Sequence, residues 1–150
     1  MKWDFSQRFG FLVNDVDRLY GEQFDRLARE RIGLSRAQCR VLCILAIHGE
    51  GQPLSQTELA RQVNLSTMAV GSLCERLAAA GWVVRQPCPS DRRANEVRLA
   101  PRAREALADA LKIGDALNTQ ALAVLESAER AQLLTILAKV HARLIEMADR

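Results

Sequence analysis

The stretch LSQTELARQVNLSTMAVGSLCERLAAAGW, residues 54–82, decides the fold, because it predicts two short helices joined by a tight turn. Ser55 and Glu58 form a capping box that opens the first helix, and Asn64, a residue that tolerates a left-handed conformation, closes it. Ser66 can cap the next helix, whose apolar residues recur until the glycine near the end of the stretch stops it. Two short helices at this spacing predict a helix-turn-helix.

A β-hairpin is predicted directly after this motif. Trp82–Arg85 and Glu96–Leu99 are short runs typical of β-strands, and Pro87, Pro89 and neighbouring polar residues separate them. The sequence therefore predicts a hairpin with a long tip. The region is also basic, since six arginines fall within residues 85–104, and such a cluster suits a polyanionic partner.

Long helices with apolar stripes are predicted near both ends of the chain. Apolar residues recur there at alternating spacings of four and three, which places them on one face of a helix. In the first helix these residues are Phe5, Phe9, Leu12, Val16 and Leu19, and in the last they are Leu133, Leu137, Val140, Leu144 and Met147. Two such stripes exceed what a monomer of this size needs to bury, so we expect them to form a dimer interface.

Capping residues delimit the remaining helices. Gly33 ends the first helix, and Ser35 with Gln38 forms a capping box that opens the second. Pro101, which suits the first helical position, is expected to begin the fifth helix, and Ser127 to open the last.

The predicted fold class is mainly α with a small β-hairpin wing. We expect a single domain, 1–150, in which a winged helix-turn-helix lobe occupies residues 36–100. The segments 1–32 and 101–150 are predicted to be dimerisation helices on either side of this lobe.

Composition narrows the class of protein. With 49% apolar and 26% charged residues, the 150-residue chain has an ordinary globular balance. No stretch reaches the roughly 18 apolar residues of a membrane span, and the first residues lack the apolar core of a signal peptide, so we expect a cytoplasmic protein without a membrane partner. There is no glycine-rich phosphate loop, nucleophile elbow or H-E-x-x-H motif, which argues against an enzyme and against a cofactor.

The chain has four cysteines: Cys39, Cys43, Cys74 and Cys88. They lack the paired C-x-x-C spacing of a zinc site, and only two histidines accompany them, so no metal site is predicted. Cys88 follows Arg85 closely in the predicted wing, and we expect it to be the most reactive thiol because nearby cations favour the thiolate.

Several short motifs follow one another in the central segment: Glu58-Leu59-Ala60, Ser66, Leu73-x-x-Arg76-Leu77-x-x-x-Gly81-Trp82-Val83, Asp91-Arg92-Arg93-Ala94 and Arg98-Leu99. With these motifs in this order, the chain resembles the MarR/SlyA family of winged helix-turn-helix transcriptional regulators over essentially all of its length. The resemblance implies a homodimer in which the first and last helices interlock. It also implies a sequence-specific DNA-binding regulator, expected to be a repressor, that binds a palindromic operator in double-stranded DNA.

The resemblance places the second helix of the motif in the major groove of DNA. The residues that it assigns to DNA contacts on the exposed face are Ser66, Thr67, Met68, Ser72 and Arg76. Many relatives carry an arginine where this chain has Ser72, and a serine reaches less far towards the bases. Two alternatives stay open: Ser66 as a plain N-cap, and Arg76 as the partner of a neighbouring carboxylate.

In the wing, the resemblance implies that an arginine enters the minor groove, where the potential is most negative in narrow A·T-rich DNA. Arg92 is the first candidate and Arg93 the second. Asp91 is expected to support this contact by orienting an arginine through an ion pair. The alternative is a solvated charged loop.

Many relatives release DNA when a small, often aromatic, anion binds between the dimerisation helices and the DNA-binding lobe. The resemblance places such a pocket near Phe9, Cys39 and Cys43, where ordinary core packing is the alternative. A cysteine-based redox response is a rival input mechanism, although a disulfide between Cys39 and Cys43 would link only one helical turn. A helical protein-interaction module that does not read DNA is the competing class of function.

Overall fold

The computed structural model describes residues 2–150, which contain six α-helices, three β-strands and one short 3-10 helix. The helices are α1 (Phe9–Ile32), α2 (Arg36–His48), α3 (Gln56–Val63), α4 (Thr67–Ala79), α5 (Ala103–Ala121) and α6 (Ser127–Ala148). The strands are β1 (Leu54–Ser55), β2 (Val83–Cys88) and β3 (Asp91–Leu99), and the 3-10 helix is Leu122–Val124. The predicted class, mainly α with a small hairpin wing, is confirmed. No helix among the described residues is both long and apolar enough to cross a membrane.

The chain divides into two compact units, the first ending at Gly114 and the second being Asp115–Arg150. The first unit contains α1 to α4, the sheet and the beginning of α5. The second contains the end of α5, the 3-10 helix and α6, which Glu126 and Glu129 open with a reciprocal capping box.

The helix ends follow from local side-chain chemistry. Gly33 ends α1 in the left-handed region, with φ of 69°, and Ser35 and Gln38 form the predicted capping box of α2. Asn64 ends α3 with φ of 56°. Ser55 accepts the backbone N–H of Glu58, but the Glu58 carboxylate binds side chains on its own helix, so only half of the predicted capping box forms there.

The sheet is antiparallel, with the order β1-β3-β2. The strands β2 and β3 extend well beyond the predicted runs, since Cys88 pairs with Asp91 and leaves a turn of only two residues. The predicted long tip is therefore wrong. Pro87 is tolerated within β2 because that strand lies at the sheet edge and the register shifts at this residue.

One apolar core holds the first unit together. Fully buried side chains of α2, α3, α4 and β3 meet there, among them Leu45, Leu59, Leu77 and Val97. The beginning of α5 joins the same core through its small residues and Ile113. The core thus includes residues beyond the predicted lobe, 36–100, and fixes the helix-turn-helix against the wing.

Two predicted helix starts need correction. The first helix begins at Phe9 and not at Phe5, whose ring stacks on Phe11 with centroids 4.7 Å apart. The helix α5 begins at Ala103, because Pro101 lies in a turn where the backbone N–H of Ala103 donates to the carbonyl of Ala100.

A polar clamp joins α1 to α2. The Arg36 guanidinium crosses α1 at Gly21 and donates to the Asp17 carboxylate at 2.5 Å. The Asp25 carboxylate accepts the backbone N–H of Arg36 at 2.8 Å and a hydrogen bond from Arg29, also at 2.8 Å. A carboxylate at the first residue of α2 also complements the positive end of that helix, so Asp25 fixes where α2 begins.

Both predicted apolar stripes remain open to solvent in the single chain. On α1, the residues Phe9, Leu12, Val16 and Leu19 are all more than half exposed. No residue of α6 is buried, although this helix carries Leu137, Leu144 and Met147 on one face. Exposed apolar area of this extent is typical of a surface that a partner covers.

Candidate nucleic-acid interface

The helix α4 presents a solvent-exposed face of the predicted composition. Thr67, Met68, Ser72 and Arg76 are exposed, while Val70, Cys74 and Leu77 on the opposite face are buried in the core. Met68 is 86% exposed. The buried face fixes the rotation of α4, and the polar face is free to enter a groove.

Two side chains on this face already have partners within the chain. Ser66 caps α4, because its hydroxyl accepts the backbone N–H of Ala69 at 3.1 Å. Arg76 donates to the Ser72 hydroxyl at 3.4 Å and forms no ion pair with a carboxylate among residues 2–150. The Arg76 guanidinium thus lies along the helix above Ser72.

The wing tip is held by Asp91 in a way that differs from the predicted ion pair. The Asp91 carboxylate accepts the backbone N–H of Arg93 at 2.9 Å, and it forms no ion pair with an arginine among the described residues. Asp91 therefore shapes the turn backbone and leaves both neighbouring guanidinium groups available.

Arg92 and Arg93 are both exposed. They lie in an irregular part of β3, because Cys88 pairs with Asp91 while Pro87 pairs with Asn95, which leaves residues 92–94 without a partner on β2. Arg93 lines a cavity of about 230 Å³ between the wing and the first residues of α3 and α4. Arg92 does not line this cavity and lies two residues after the tip of the hairpin.

A buried polar contact that the sequence analysis missed joins α3 to the wing. Gln56, the first residue of α3, is only 7% exposed, and its amide oxygen accepts a hydrogen bond from Arg85 Nε at 2.8 Å. The two residues lie 29 positions apart, and neither matches a local motif. No signal within a short window of sequence could have identified this pair.

An arginine also stabilises the C-terminal end of α4. The Arg102 guanidinium lies 4.1 Å from the ring centroid of Trp82 and donates to the carbonyl of Ala80, the residue that caps the C-terminal end of α4. A cation at a helix C-terminus is stabilised by the negative end of the helix dipole. Arg102, one of the six arginines within residues 85–104, thus anchors α4.

The prediction that Cys88 is the most reactive thiol is wrong. Cys88 is only 9% exposed, and burial together with the carboxylates of Glu96 and Asp91 raises the pKa of its thiol. Strand pairing brings Asp91 to Cys88, so the residues that are close in space are acidic although those close in sequence are basic. Cys74 is buried in the core as expected, and burial raises its pKa to about 11.

The three predicted ligand-pocket residues do not meet within the chain. Cys39 is buried in the core, and burial raises its pKa to about 11, while Cys43 lies one turn further along α2 and is half-buried. Phe9 lies at the exposed start of α1, about 22 Å along the helix from Phe24, the residue of α1 that packs against this core. A pocket that includes all three residues would need a second chain.

A helix-turn-helix with a polar exposed helix beside a basic β-hairpin defines a winged helix-turn-helix fold, which many DNA-binding proteins share. Residues 32–94 match the sequence profile of the MarR family. The chain is also similar to the uncharacterised HTH-type transcriptional regulator YdgJ of Bacillus subtilis, with 27% identity over 131 residues, 87% of this chain and 76% of YdgJ. The central segment of the chain is therefore similar to the MarR family, and the chain as a whole is similar to a transcriptional regulator.

Solved structures share the fold. Wild-type MarR from E. coli in its apo form has a TM-score of 0.77 and 24% identity over 88% of this chain and 95% of MarR. A mutant of E. coli MarR in complex with operator DNA has a TM-score of 0.73 and 23% identity, over 93% of this chain and 99% of the MarR chain. Bordetella bronchiseptica BpsR, whose DNA binding is regulated by 6-hydroxynicotinic acid, has a TM-score of 0.72 and 23% identity, over 94% of this chain and 98% of the BpsR chain.

Proposed function

We propose that this chain is a transcriptional regulator of the MarR family, a homodimeric repressor that binds a palindromic operator and is released by a small anionic ligand. The observation that carries the proposal is the placement of Met68, Ser72 and Arg76 on the exposed face of α4, in the same compact unit as a wing that presents Arg92 and Arg93. A helix that fits the major groove and an adjacent arginine for the minor groove together read one half-site. MarR, a protein of the same fold, binds operator DNA, which supports this function.

The proposed dimer accounts for the open apolar stripes. A monomer would leave most of α6 and the stripe of α1 exposed to water. Burial of these apolar side chains in a symmetric interface is favourable. A twofold dimer carries two copies of α4, and a palindromic operator repeats its half-site with the same symmetry.

Binding to operator DNA is tested by a titration of the purified protein against the DNA upstream of its own coding region, at two salt concentrations. We expect tight, sequence-dependent binding that weakens steeply with salt, because each phosphate contact releases counterions. Arg92→Ala should cost about 1–3 kcal/mol of binding free energy if this arginine reads the minor groove. Arg26→Ala, which removes the same charge from an exposed site on α1, is the matched control.

The absence of sequence-dependent binding by the wild-type protein would refute this function and would favour the protein-interaction module. Equal losses for Arg92→Ala and Arg26→Ala would show that the wing contributes only net charge.

The dimer is tested by sedimentation of Val16→Glu. Val16 is 58% exposed on the α1 stripe, so a carboxylate there leaves the folded monomer intact but is buried without a partner in the proposed interface. Ile47→Glu on α2 changes an apolar residue that is even more exposed, at 85%, and lies outside both stripes, so it should leave the dimer intact. A dimer that survives Val16→Glu unchanged would exclude this face.

Ligand control follows from linkage between two dimer shapes. A ligand that binds better to the shape with the wrong spacing of the two α4 helices lowers DNA affinity, whereas equal binding to both shapes has no effect. BpsR supports this mechanism, since 6-hydroxynicotinic acid regulates its DNA binding.

We propose that the ligand pocket forms in the dimer near Phe9, Cys39 and Cys43. Release of operator DNA by benzoate or 6-hydroxynicotinate, and its loss in Cys43→Phe, would test this site.

A further inference from the structure

A cavity of about 350 Å³ lies within the first compact unit, where the loop between α2 and β1 meets the turn between β3 and α5. The loop contributes Glu50 and Gly51, and the other wall consists of residues 98–101 and Arg104. A volume of this size falls within the range of small-molecule pockets. The cavity includes no residue of α4, of the wing tip or of the proposed dimer pocket, so it differs from the sites proposed above.

Backbone hydrogen bonds hold both walls of the cavity in place. The N–H of Ala100 donates to the carbonyl of Trp82 at 3.0 Å, and the N–H of Ala103 donates to the carbonyl of Ala100, also at 3.0 Å. In the loop, the N–H of Gln52 donates to the carbonyl of Gly49 at 3.0 Å. The cavity therefore exists before any ligand arrives, as in most small-molecule sites.

The charged side chains around the cavity leave one positive charge without a partner. Arg104 donates to the Glu50 carboxylate at 2.5 Å, so these two charges offset each other. Arg98 is half-buried and forms neither an ion pair nor a hydrogen bond with another residue among 2–150. An anion stabilises a guanidinium that is partly removed from water and has no partner. The cavity therefore favours a ligand with one negative charge.

The remaining wall of the cavity is apolar. Leu99, Ala100 and Pro101 have no polar side-chain atom, and the Leu99 side chain is only 7% exposed and belongs to the core. A ligand with an apolar body gains free energy by covering such a wall, whereas an inorganic anion does not. A carboxylate also fits the planar fork of a guanidinium through two parallel hydrogen bonds.

We propose that this cavity binds a small monocarboxylate with an apolar body, and that Arg98 pairs with the carboxylate of the ligand. Glu50, which Arg104 holds at the rim, disfavours a second negative charge on the ligand. The site lies within one chain, so it requires neither DNA nor a second copy.

The test is a titration of the isotope-labelled protein with hexanoate, followed by the backbone amide resonances. We expect saturable shifts at Gly51, Leu99 and Ala100, the residues that line the cavity. Hexanamide has the same shape without the charge and should bind about tenfold more weakly, because it loses the charge-assisted hydrogen bonds to Arg98. Glutarate, a dianion, should also bind more weakly than hexanoate.

The role of Arg98 is measured with Arg98→Met, which removes the charge and keeps an unbranched apolar side chain. This variant should bind hexanoate about tenfold more weakly and hexanamide as the wild type does. Arg26→Met, which removes the same charge from an exposed site on α1, is the matched control and should bind both compounds as the wild type does. Thermal unfolding establishes that each variant is folded. If Arg98→Met does not fold, Ala100→Leu replaces it, because a larger side chain in the cavity should abolish binding of both compounds.

Three results would overturn the inference. If hexanoate shifts no resonance of the cavity residues, the cavity does not bind a monocarboxylate. If Arg98→Met binds hexanoate as tightly as the wild type, Arg98 does not pair with the carboxylate. If Cys43→Phe abolishes hexanoate binding and Arg98→Met does not, the ligand lies in the proposed dimer pocket instead. A failure of the proposed DNA-binding function would leave these results unchanged, because none of the measurements includes DNA.

Discussion

The effect of Gly21→Ala on the free energy of unfolding should depend on residue 36: no stabilisation when Arg36 is present, and stabilisation when Arg36 is replaced by alanine. A Cβ atom at Gly21 would contact the Arg36 guanidinium, with Arg36 Cζ only 2.6 Å away, so the arginine would have to leave its place over α1. In an unobstructed helix, the same change stabilises by about 1 kcal/mol because alanine loses less backbone entropy than glycine.

The opposing cost has two parts. Displacing Arg36 breaks its pair with Asp17, worth about 0.2–1 kcal/mol at a position where the Asp17 side chain is 62% exposed. A forced rotamer of Arg36 costs about 0.5–1.5 kcal/mol more. We therefore expect Gly21→Ala to lower the free energy of unfolding by up to about 1.5 kcal/mol, or to leave it unchanged, in the wild type.

In an Arg36→Ala background, the obstruction is absent, and Gly21→Ala should stabilise the protein by about 1 kcal/mol. The assay is urea unfolding of the four proteins, followed by circular dichroism at one fixed protein concentration because a dimer is stabilised by mass action. If Gly21→Ala stabilises both backgrounds equally, Arg36 does not lie across Gly21 and the clamp between α1 and α2 does not exist as described.

Three further predictions use the same unfolding assay or a thiol titration. Gly114→Ala should stabilise by about 0.5–1 kcal/mol, because its Cβ would meet only an aromatic carbon at 4.0 Å; destabilisation would indicate a closer neighbour. The backbone N–H of Arg36 lowers the pKa of the Asp25 carboxyl in the folded protein from its ordinary value of 3.8. The stability that this carboxylate contributes is therefore present above pH 3.8 and is lost as the pH falls through the lowered pKa of the folded state. Asp25→Asn should therefore cost stability at pH 7 and less at pH 3, and an equal cost at both would contradict this. With Ellman's reagent at pH 8, half-buried Cys43 should react before buried Cys88, and a fast phase that survives in Cys43→Ser would reverse that order.

The sequence predicted those parts of the fold that depend on short-range chemistry. Ser35 with Gln38, Ser66 and Asn64 each satisfy or redirect backbone groups within a few residues, so their roles can be read from the order of residues alone. The exposed face of α4 followed in the same way, because helical periodicity separates core residues from surface residues.

Contacts between distant segments were not predicted. Strand β1 is only two residues long and exists because Leu54 pairs with Val97, which no local pattern indicates. The wing was expected to have a long tip because prolines usually end strands, but Pro87 lies on an edge strand where its missing N–H removes no ladder hydrogen bond. The reactivity of Cys88 was misjudged for a related reason, since pairing across the turn replaced the expected cationic neighbours by carboxylates.

The proposed division of DNA recognition between α4 and the wing depends on the side chains that each presents. At position 72 this chain has a serine where the resemblance to the MarR/SlyA family led us to expect an arginine. Arg76, one turn later, donates to the Ser72 hydroxyl and lies over the same part of α4. A long side chain at position 72 would compete with Arg76 for this place, so the serine and the tethered arginine form one arrangement. A guanidinium held by a hydroxyl at 3.4 Å keeps four further N–H donors for a base or a phosphate. We therefore expect Ser72→Ala to weaken DNA binding by releasing Arg76. In an Arg76→Ala background, Ser72→Ala should have no further effect on DNA affinity. Additive losses for the two variants would show instead that Ser72 contacts DNA independently.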